Sequence, residues 1–230
     1  MPVCYTLFVN KALSKLINNS VRSTNLMPTK KELHTFLRTR RSIRRFKPDP
    51  VPESVIEEIL TTATFAPSAH NRQPWRFAVV RDSATKTRLG KAVTGKMRAD
   101  MQSEGASEID IEKRAASSLR RMDEAPVVIV LCRDKTDVRV DTPEEAAMGV
   151  QSTALAGLQL LLAAHAEGLG GNWICWPLYA QEATRTALEL PNSWEPQAFY
   201  FLGYPDEVPE VKDRKLIKEI IKWSQTSPDV

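Results

Sequence analysis

The stretch RTRRSIRRF, residues 38–46, sets five arginines into nine positions of a chain whose charges are otherwise mixed. Three readings are open to it. It reads as a solvated basic face at a helix end, where arginines suit the negative end of the helix dipole. It reads equally as a nucleic-acid contact, or as a phosphate site built from guanidinium forks and the Ser42 hydroxyl. Alone, the stretch does not choose among them.

The bulk properties narrow the field. A chain of 230 residues fills one sizeable core or two small ones, and no segment reads as a linker. Hydrophobic residues make up 42% and charged residues 26%, the balance of a soluble globular protein. A net charge of +4 leaves room for an anionic ligand without demanding a polyanion. The three cysteines, Cys4, Cys132 and Cys175, lie far apart without C-x-x-C spacing, which fits a reducing, cytoplasmic setting and neither a disulfide framework nor a zinc cluster. His34, His70 and His165 occur singly with no H-E-x-x-H pattern, so a metal site has little support. Residues 1–28 are polar and turn-rich toward their end, lack the pattern of a signal peptide, and read as a poorly ordered tail. Residues 29–230 are then expected to form a single domain.

Working outward from the arginines, Thr29 with Glu32 forms a capping-box pattern, and KKELHTFLRTR after it has helical spacing. The prolines of KPDPVP force an extended passage, and Pro52 opens a second helix with Val55, Ile56, Ile59, Leu60 and Ala63 on one face. A polar loop leads into the strand WRFAVV. Residues 83–122 read as a charged helical region broken near Gly105, and Pro126 introduces the strand VVIVLC. The stretch EEAAMGVQSTALAGLQLLLAAHAEGLG predicts a helix that is apolar almost all round, but its polar interruptions favour a protein core or a subunit interface over a membrane. A helix around QEATRTALEL, a strand AFYFLGYP and a basic amphipathic helix in DRKLIKEIIKW complete the chain. Helices and strands interleave without a regular βαβ repeat, so the expected fold is α+β around one sheet.

Familiar cofactor signatures are absent. There is no G-x-x-x-x-G-K-[ST] loop, and GLGGNW at 168–173 places Trp173 where a G-x-G-x-x-G motif needs glycine, which argues against a Rossmann nicotinamide site. The stretch APSAHNRQPWRF, residues 66–77, is more informative. Asn71 and Gln73 offer amide groups, and Pro74 with Trp75 fixes a rigid entry into a strand. A generic turn accounts for Ser, Asn and Pro. It leaves unexplained why amides and a large aromatic share so short a frame, where they can line the edge of a planar heterocycle.

RRSIRRF at 40–46, APSAHNRQPWRF at 66–77, GLGGNWI at 168–174 and the Lys-Asp-Arg triplet at 212–214 occur in the order and rough spacing of the FMN-dependent nitroreductase family. The chain resembles that family from residue 30 to 222. Within it, RRMDEAPVVIVLC, LLLAAHAEGLGGNWI and LELPNSWEPQAFYFLGYPDE resemble the C-terminal reductase domain of the deazaflavin-coenzyme glutamyl ligase.

The resemblance implies a nitroreductase-like fold, a central mixed or antiparallel sheet flanked by helices, with FMN at a homodimer interface. Carried over residue by residue, it implies that Arg40, Arg41, Ser42 and Arg44 bind the flavin phosphate, ribityl chain and pyrimidine edge. Pro67, Ser68, Ala69, Asn71 and Gln73 reach the same flavin from the partner subunit. Trp173, Ile174 and Cys175 pass the ring near N5, and Lys212 with Arg214 completes the phosphate site. Arg44 is the candidate for stabilising negative charge on the reduced ring. No side chain is assigned an acid, base or nucleophile role, because the chemistry belongs to the flavin. The implied electron donor is NAD(P)H and the acceptor a nitro, quinone or enone compound. Trp176 stands where family members commonly carry a small residue, so it is expected to narrow the substrate face.

Two other functions are weighed. The subgroup match implies reduction or binding of a dehydro-deazaflavin intermediate, although no ligase domain accompanies this sequence. A nucleic-acid-binding module using RTRRSIRR ranks below both, since the aromatic residues do not interleave with the basic ones.

Overall fold

The computed structural model describes residues 27–224, so residues 1–26 of the expected tail lie outside the described residues. The chain divides into two compact units, Met1–Arg40 and Arg41–Val230. In the first, helix α1 (Lys30–Thr39) begins with the expected capping box. The Glu32 N–H donates to Thr29 Oγ1 at 3.2 Å, and the Thr29 N–H donates back to Glu32 Oε2 at 2.7 Å. Arg40 is the C-cap of this helix.

The second unit is built on four strands, β1 (Trp75–Val80), β2 (Val127–Asp134), β3 (Gly170–Ile174) and β4 (Trp194–Gly203), in the spatial order β1-β2-β4-β3. Every pairing is antiparallel. Helix α2 (Glu53–Ala63) starts after Pro52 and buries Ile56, Ile59 and Ala63. Helices α3 (Ser83–Ser103) and α4 (Glu108–Glu124) form a hairpin broken at Gly105, whose φ of 81° requires glycine. Helix α5 (Pro143–Ala166) crosses the sheet, two short helices α6 (Trp176–Tyr179) and α7 (Gln181–Ala187) link β3 to β4, and α8 (Ile217–Ile220) follows.

The central strand β2 is buried along its whole length because both faces of the sheet are covered. Val127, Ile129 and Leu131, with Tyr200 and Leu202, meet α2 and α5 on one face. Val128, Val130 and Cys132, with Phe199 and Phe201, meet α3, α4 and α7 on the other. A strand covered on both sides reads as an unbroken apolar run, as VVIVLC does. Helix α5 lies close to the sheet at Gly157, where a Cβ would stand 1.9 Å from the Tyr200 hydroxyl oxygen. Burial pushes the Tyr200 hydroxyl pKa upward.

Two expectations, for strand β4 and for the last helix, need correction, while the core expected for α5 is met on its inner face. Among the described helices α5 is the one long and apolar enough to cross a membrane. Its inner residues, including Ala156, Leu160 and Ala163, sit in the core, whereas Val150, Leu155 and Leu158 are exposed. Strand β4 begins at Trp194, earlier than its apolar run, and absorbs Pro196 beside a register shift opposite Leu131 and Cys132. A proline lacks the ladder donor and is tolerated at such an irregularity. The expected helix in DRKLIKEIIKW is a single turn, α8, with exposed residues throughout. An amphipathic segment with no surface to pack against does not overcome the cost of helix nucleation.

Candidate functional site

The arginine-rich segment lies along the outer edge of β3. Ser42 pairs with Gly171 in a parallel bridge, and the Ile43 N–H donates to the Gly171 carbonyl at 3.1 Å. The Asn172 side-chain amide donates to the Ile43 carbonyl at 2.5 Å. Such close approach needs Gly170, while Gly171 is packed tightly against β4 and α5. A Cβ on Gly170 would stand 2.6 Å from the Ile43 Cβ, and one on Gly171 would stand 2.6 Å from Leu202 Cδ2. RRSIRRF and GLGGNW, far apart in sequence, are therefore one local structure.

The next residues fasten the segment to the turn after β4. The backbone N–H groups of Arg44 and Arg45 both donate to Glu207 Oε1, at 2.5 and 3.2 Å. The Asp206 N–H donates to the Arg45 carbonyl at 3.1 Å, and the Lys47 N–H to the Tyr204 carbonyl at 2.9 Å. The Arg44 side chain is exposed, while Arg41 and Ser42 are half-buried. The chain that carries Lys212 and Arg214, both exposed, thus sets out from beside Arg44. Lys212 is five residues beyond Glu207, within about 18 Å of it at full extension.

At the other end of β3 the residues diverge. Trp173 is 56% exposed and Cys175 is exposed, but Trp176 turns inward, edge-on to Phe199 and Phe201 at ring separations of 6.3 and 6.0 Å. Trp176 packs, half-buried, against the core of the α3 and α4 face.

The second expected element, Pro67–Gln73, forms a closed loop. The Gln73 N–H donates to Ser68 Oγ at 3.1 Å, and the Asn71 N–H donates to the Ser68 carbonyl at 3.0 Å. The Gln73 side-chain amide donates to Asn71 Oδ1 at 3.2 Å. His70, Asn71 and Gln73 all have φ of 54°, a left-handed conformation that asparagine accepts and other side chains adopt at a cost. The loop is pinned to α5 by the Ala69 N–H, which donates to Ser152 Oγ at 3.1 Å.

These two elements lie far apart along α5. Ser152 is about four helical turns, roughly 21 Å, from Ala166 at the C-terminal end of the helix, and the Gly170–Gly171 edge follows that end after residues 167–169. They also flank opposite edges of the sheet, because the loop leads into β1 while Ser42 borders β3. Within one chain the structure joins Arg41, Ser42 and Arg44 to the β3 strand and to the start of the C-terminal segment. It does not bring Ser68, Ala69, Asn71 or Gln73 to them.

Two residues that matter here are not singled out by sequence reasoning. Asn172 is 3% exposed, and its Oδ1 is a buried acceptor with no partner among the described residues. The signal that could have found it is a lone amide directly after two glycines in an apolar strand. Glu207 has no such signal, since its role comes from the turn after β4 meeting a segment distant in sequence.

The comparisons agree with this architecture. The sequence profile of the Nitroreductase family matches residues 37–204. An NADH dehydrogenase of Thermus thermophilus is 34% identical over 214 residues, covering 80% of this chain and 92% of that protein. A nitroreductase-like family protein from Bacillus cereus superposes with a TM-score of 0.70 at 22% identity, covering 87% of this chain and all of that one. An FMN-dependent nitroreductase from Clostridium difficile R20291 gives 0.62 at 24% identity, over 83% of this chain and 98% of that one. The chain belongs to the nitroreductase family.

Proposed function

We propose that this protein is an FMN-dependent NAD(P)H oxidoreductase acting on electron-poor organic acceptors of the nitro, quinone or enone type. The observation that carries the reading is the Ser42–Gly171 bridge, which sets the Arg41, Ser42 and Arg44 donors along the edge of β3. Family membership and the names of the relatives above point the same way.

The residues fit flavin mononucleotide. Guanidinium groups and a hydroxyl match a dianionic phosphate, which needs several charged donors to offset its desolvation. Lys212, Arg214 and Arg40 keep the roles that the sequence resemblance gives them. Trp173, Ile174 and Cys175 offer an apolar strand end for the ring, and Asn172 Oδ1 is a buried acceptor for a ribityl hydroxyl. Bound there, FMN supplies two-electron chemistry: the nicotinamide gives up a hydride, and the acceptor takes up two electrons and two protons, the second proton from solvent. The protein binds, orients and excludes water.

Pro67, Ser68, Ala69, Asn71 and Gln73 are read as contacts to the flavin held by a second copy of the chain, since a ligand at Ser42 lies beyond their reach within one chain. The exposed face of α5, with Val150, Leu155 and Leu158, is the surface a homodimer would cover. The functional domain is read as residues 29–230. Reduction of a dehydro-deazaflavin intermediate rests on the subgroup resemblance alone, and no relative named above lends it support.

The test is direct. The purified protein should be yellow, run as a dimer by light scattering, and bleach when NADH or NADPH is added without air. A colourless protein that FMN does not reconstitute overturns the reading.

A further inference from the structure

We propose that Glu207 is a positioning residue for flavin recognition and that it acts through Arg44. Its role rests on the reading of Arg44 as a flavin contact under the proposed function, and it supplies what aims that guanidinium.

Ile43 is held on β3 by its N–H, which donates to the Gly171 carbonyl, and Phe46 forms an antiparallel bridge with Pro205. Only Arg44 and Arg45 lie between these two fixed points, and their N–H groups converge on one atom, Glu207 Oε1, at 2.5 and 3.2 Å. In an extended strand successive N–H groups point to opposite sides. Convergence of two on a single oxygen is instead the geometry of a turn that cradles an anion. The backbone therefore bends off the edge of β3 at Arg44, and the bend sets the direction in which the Arg44 side chain departs.

A carboxylate suits this place, because its bonds to N–H groups are charge-assisted and one oxygen accepts both donors. The other described hydrogen bonds that hold residues 43–47 run to peptide groups or to the Asn172 amide, so Glu207 is the charged fastening. Arg44 and Arg45 are exposed and Glu207 is half-buried. Water can therefore satisfy both N–H groups when the carboxylate is removed, and little stability is at stake. What is lost is the fixed bend. An arginine launched from a fixed backbone gives up less freedom on meeting its ligand than one launched from a mobile loop, so the fastening acts on affinity.

The test titrates FMN into flavin-free protein, followed by flavin fluorescence, alongside thermal melting of the same flavin-free samples. Glu207→Ala should weaken FMN at least tenfold, with a melting temperature within a few degrees of wild type. Glu207→Gln keeps an acceptor oxygen and should return affinity to within threefold of wild type. In an Arg44→Ala background, adding Glu207→Ala should weaken FMN less than twofold further, the non-additivity of a residue that acts through its neighbour. Glu210→Ala removes an exposed carboxylate that takes part in none of these hydrogen bonds, and should bind FMN as wild type does. Failure of wild type to bind FMN overturns the proposed function and this role with it. Where wild type binds, four results each overturn the positioning role alone: Glu207→Ala within twofold of wild type, no recovery in Glu207→Gln, full additivity with Arg44→Ala, or a melting temperature that falls in step with affinity.

Discussion

The Ile43 side chain occupies the space that a Cβ on Gly170 would need, with the two carbons only 2.6 Å apart. The glycine is therefore what allows the arginine-rich segment to lie on β3. Gly170→Ala should push that segment off the sheet edge while the core, built on β2 and β4, persists. The expected result is FMN affinity reduced at least tenfold by flavin fluorescence titration, with far-UV circular dichroism unchanged.

Arg41→Ala combined with Ser42→Ala removes side chains and leaves the backbone fastenings in place. FMN should be lost during purification, and thermal melting of the flavin-free variant should stay within a few degrees of flavin-free wild type. Full retention of FMN would count against the phosphate assignment.

A Cβ at Gly157 would meet the Tyr200 hydroxyl oxygen at 1.9 Å and Leu131 Cδ2 at 3.0 Å. Overpacking of this kind costs about 1–3 kcal/mol. Gly157→Ala should lower stability by that amount in urea unfolding. Tyr200→Phe in the same chain should recover part of the loss, a coupling that a double-mutant cycle measures.

Asp134 accepts hydrogen bonds at Oδ1 from the Thr136 N–H at 3.1 Å and from the Thr136 hydroxyl at 2.7 Å, and Oδ2 pairs with Arg76 at 3.1 Å. Burial pushes its pKa up, but the Thr136 and Ser193 hydrogen bonds and the Arg76 charge together hold it below the ordinary value. A depressed folded-state pKa gives stability that is present above the unfolded value of about 4 and is lost as pH falls through the folded value. Unfolding free energy should therefore drop below about pH 4. Asp134→Asn should flatten that drop and cost about 1–2 kcal/mol at pH 7.

The two described cysteines differ in kind. Burial, with the Glu195 carboxylate nearby, pushes the Cys132 thiol up to about 12, whereas Cys175 is exposed. Peptide mapping after brief iodoacetamide treatment of the flavin-free protein should find Cys175 modified and Cys132 untouched. Bound FMN should slow labelling at Cys175.

Much of this architecture is written locally in the sequence. Thr29 and Glu32, Pro52, Gly105 and Pro126 mark element boundaries through capping, fixed φ or positive φ, and each does so from its own chemistry. What the sequence does not supply is pairing between distant segments. Nothing in RRSIRRF names Gly171 as its neighbour, and nothing near Glu207 names Arg44. The half-exposed α5 and the one-turn α8 show a second limit. Periodicity reports which residues are apolar, but only the tertiary arrangement decides whether a surface exists to bury them. Trp176 shows a third, because its inward turn depends on the Phe199 and Phe201 rings that β4 places beneath it.

Every fastening described for residues 43–47 runs through peptide groups: N–H at Ile43, Arg44, Arg45 and Lys47, and carbonyls at Ile43 and Arg45. Ile43 and Phe46 add side-chain packing against the core, and none of these hydrogen bonds uses an arginine side chain. Anchorage and recognition are thus separate properties of one short segment. The number and placement of its cations can drift over generations, or be redesigned, to suit a different anion, while the path of the backbone stays the same.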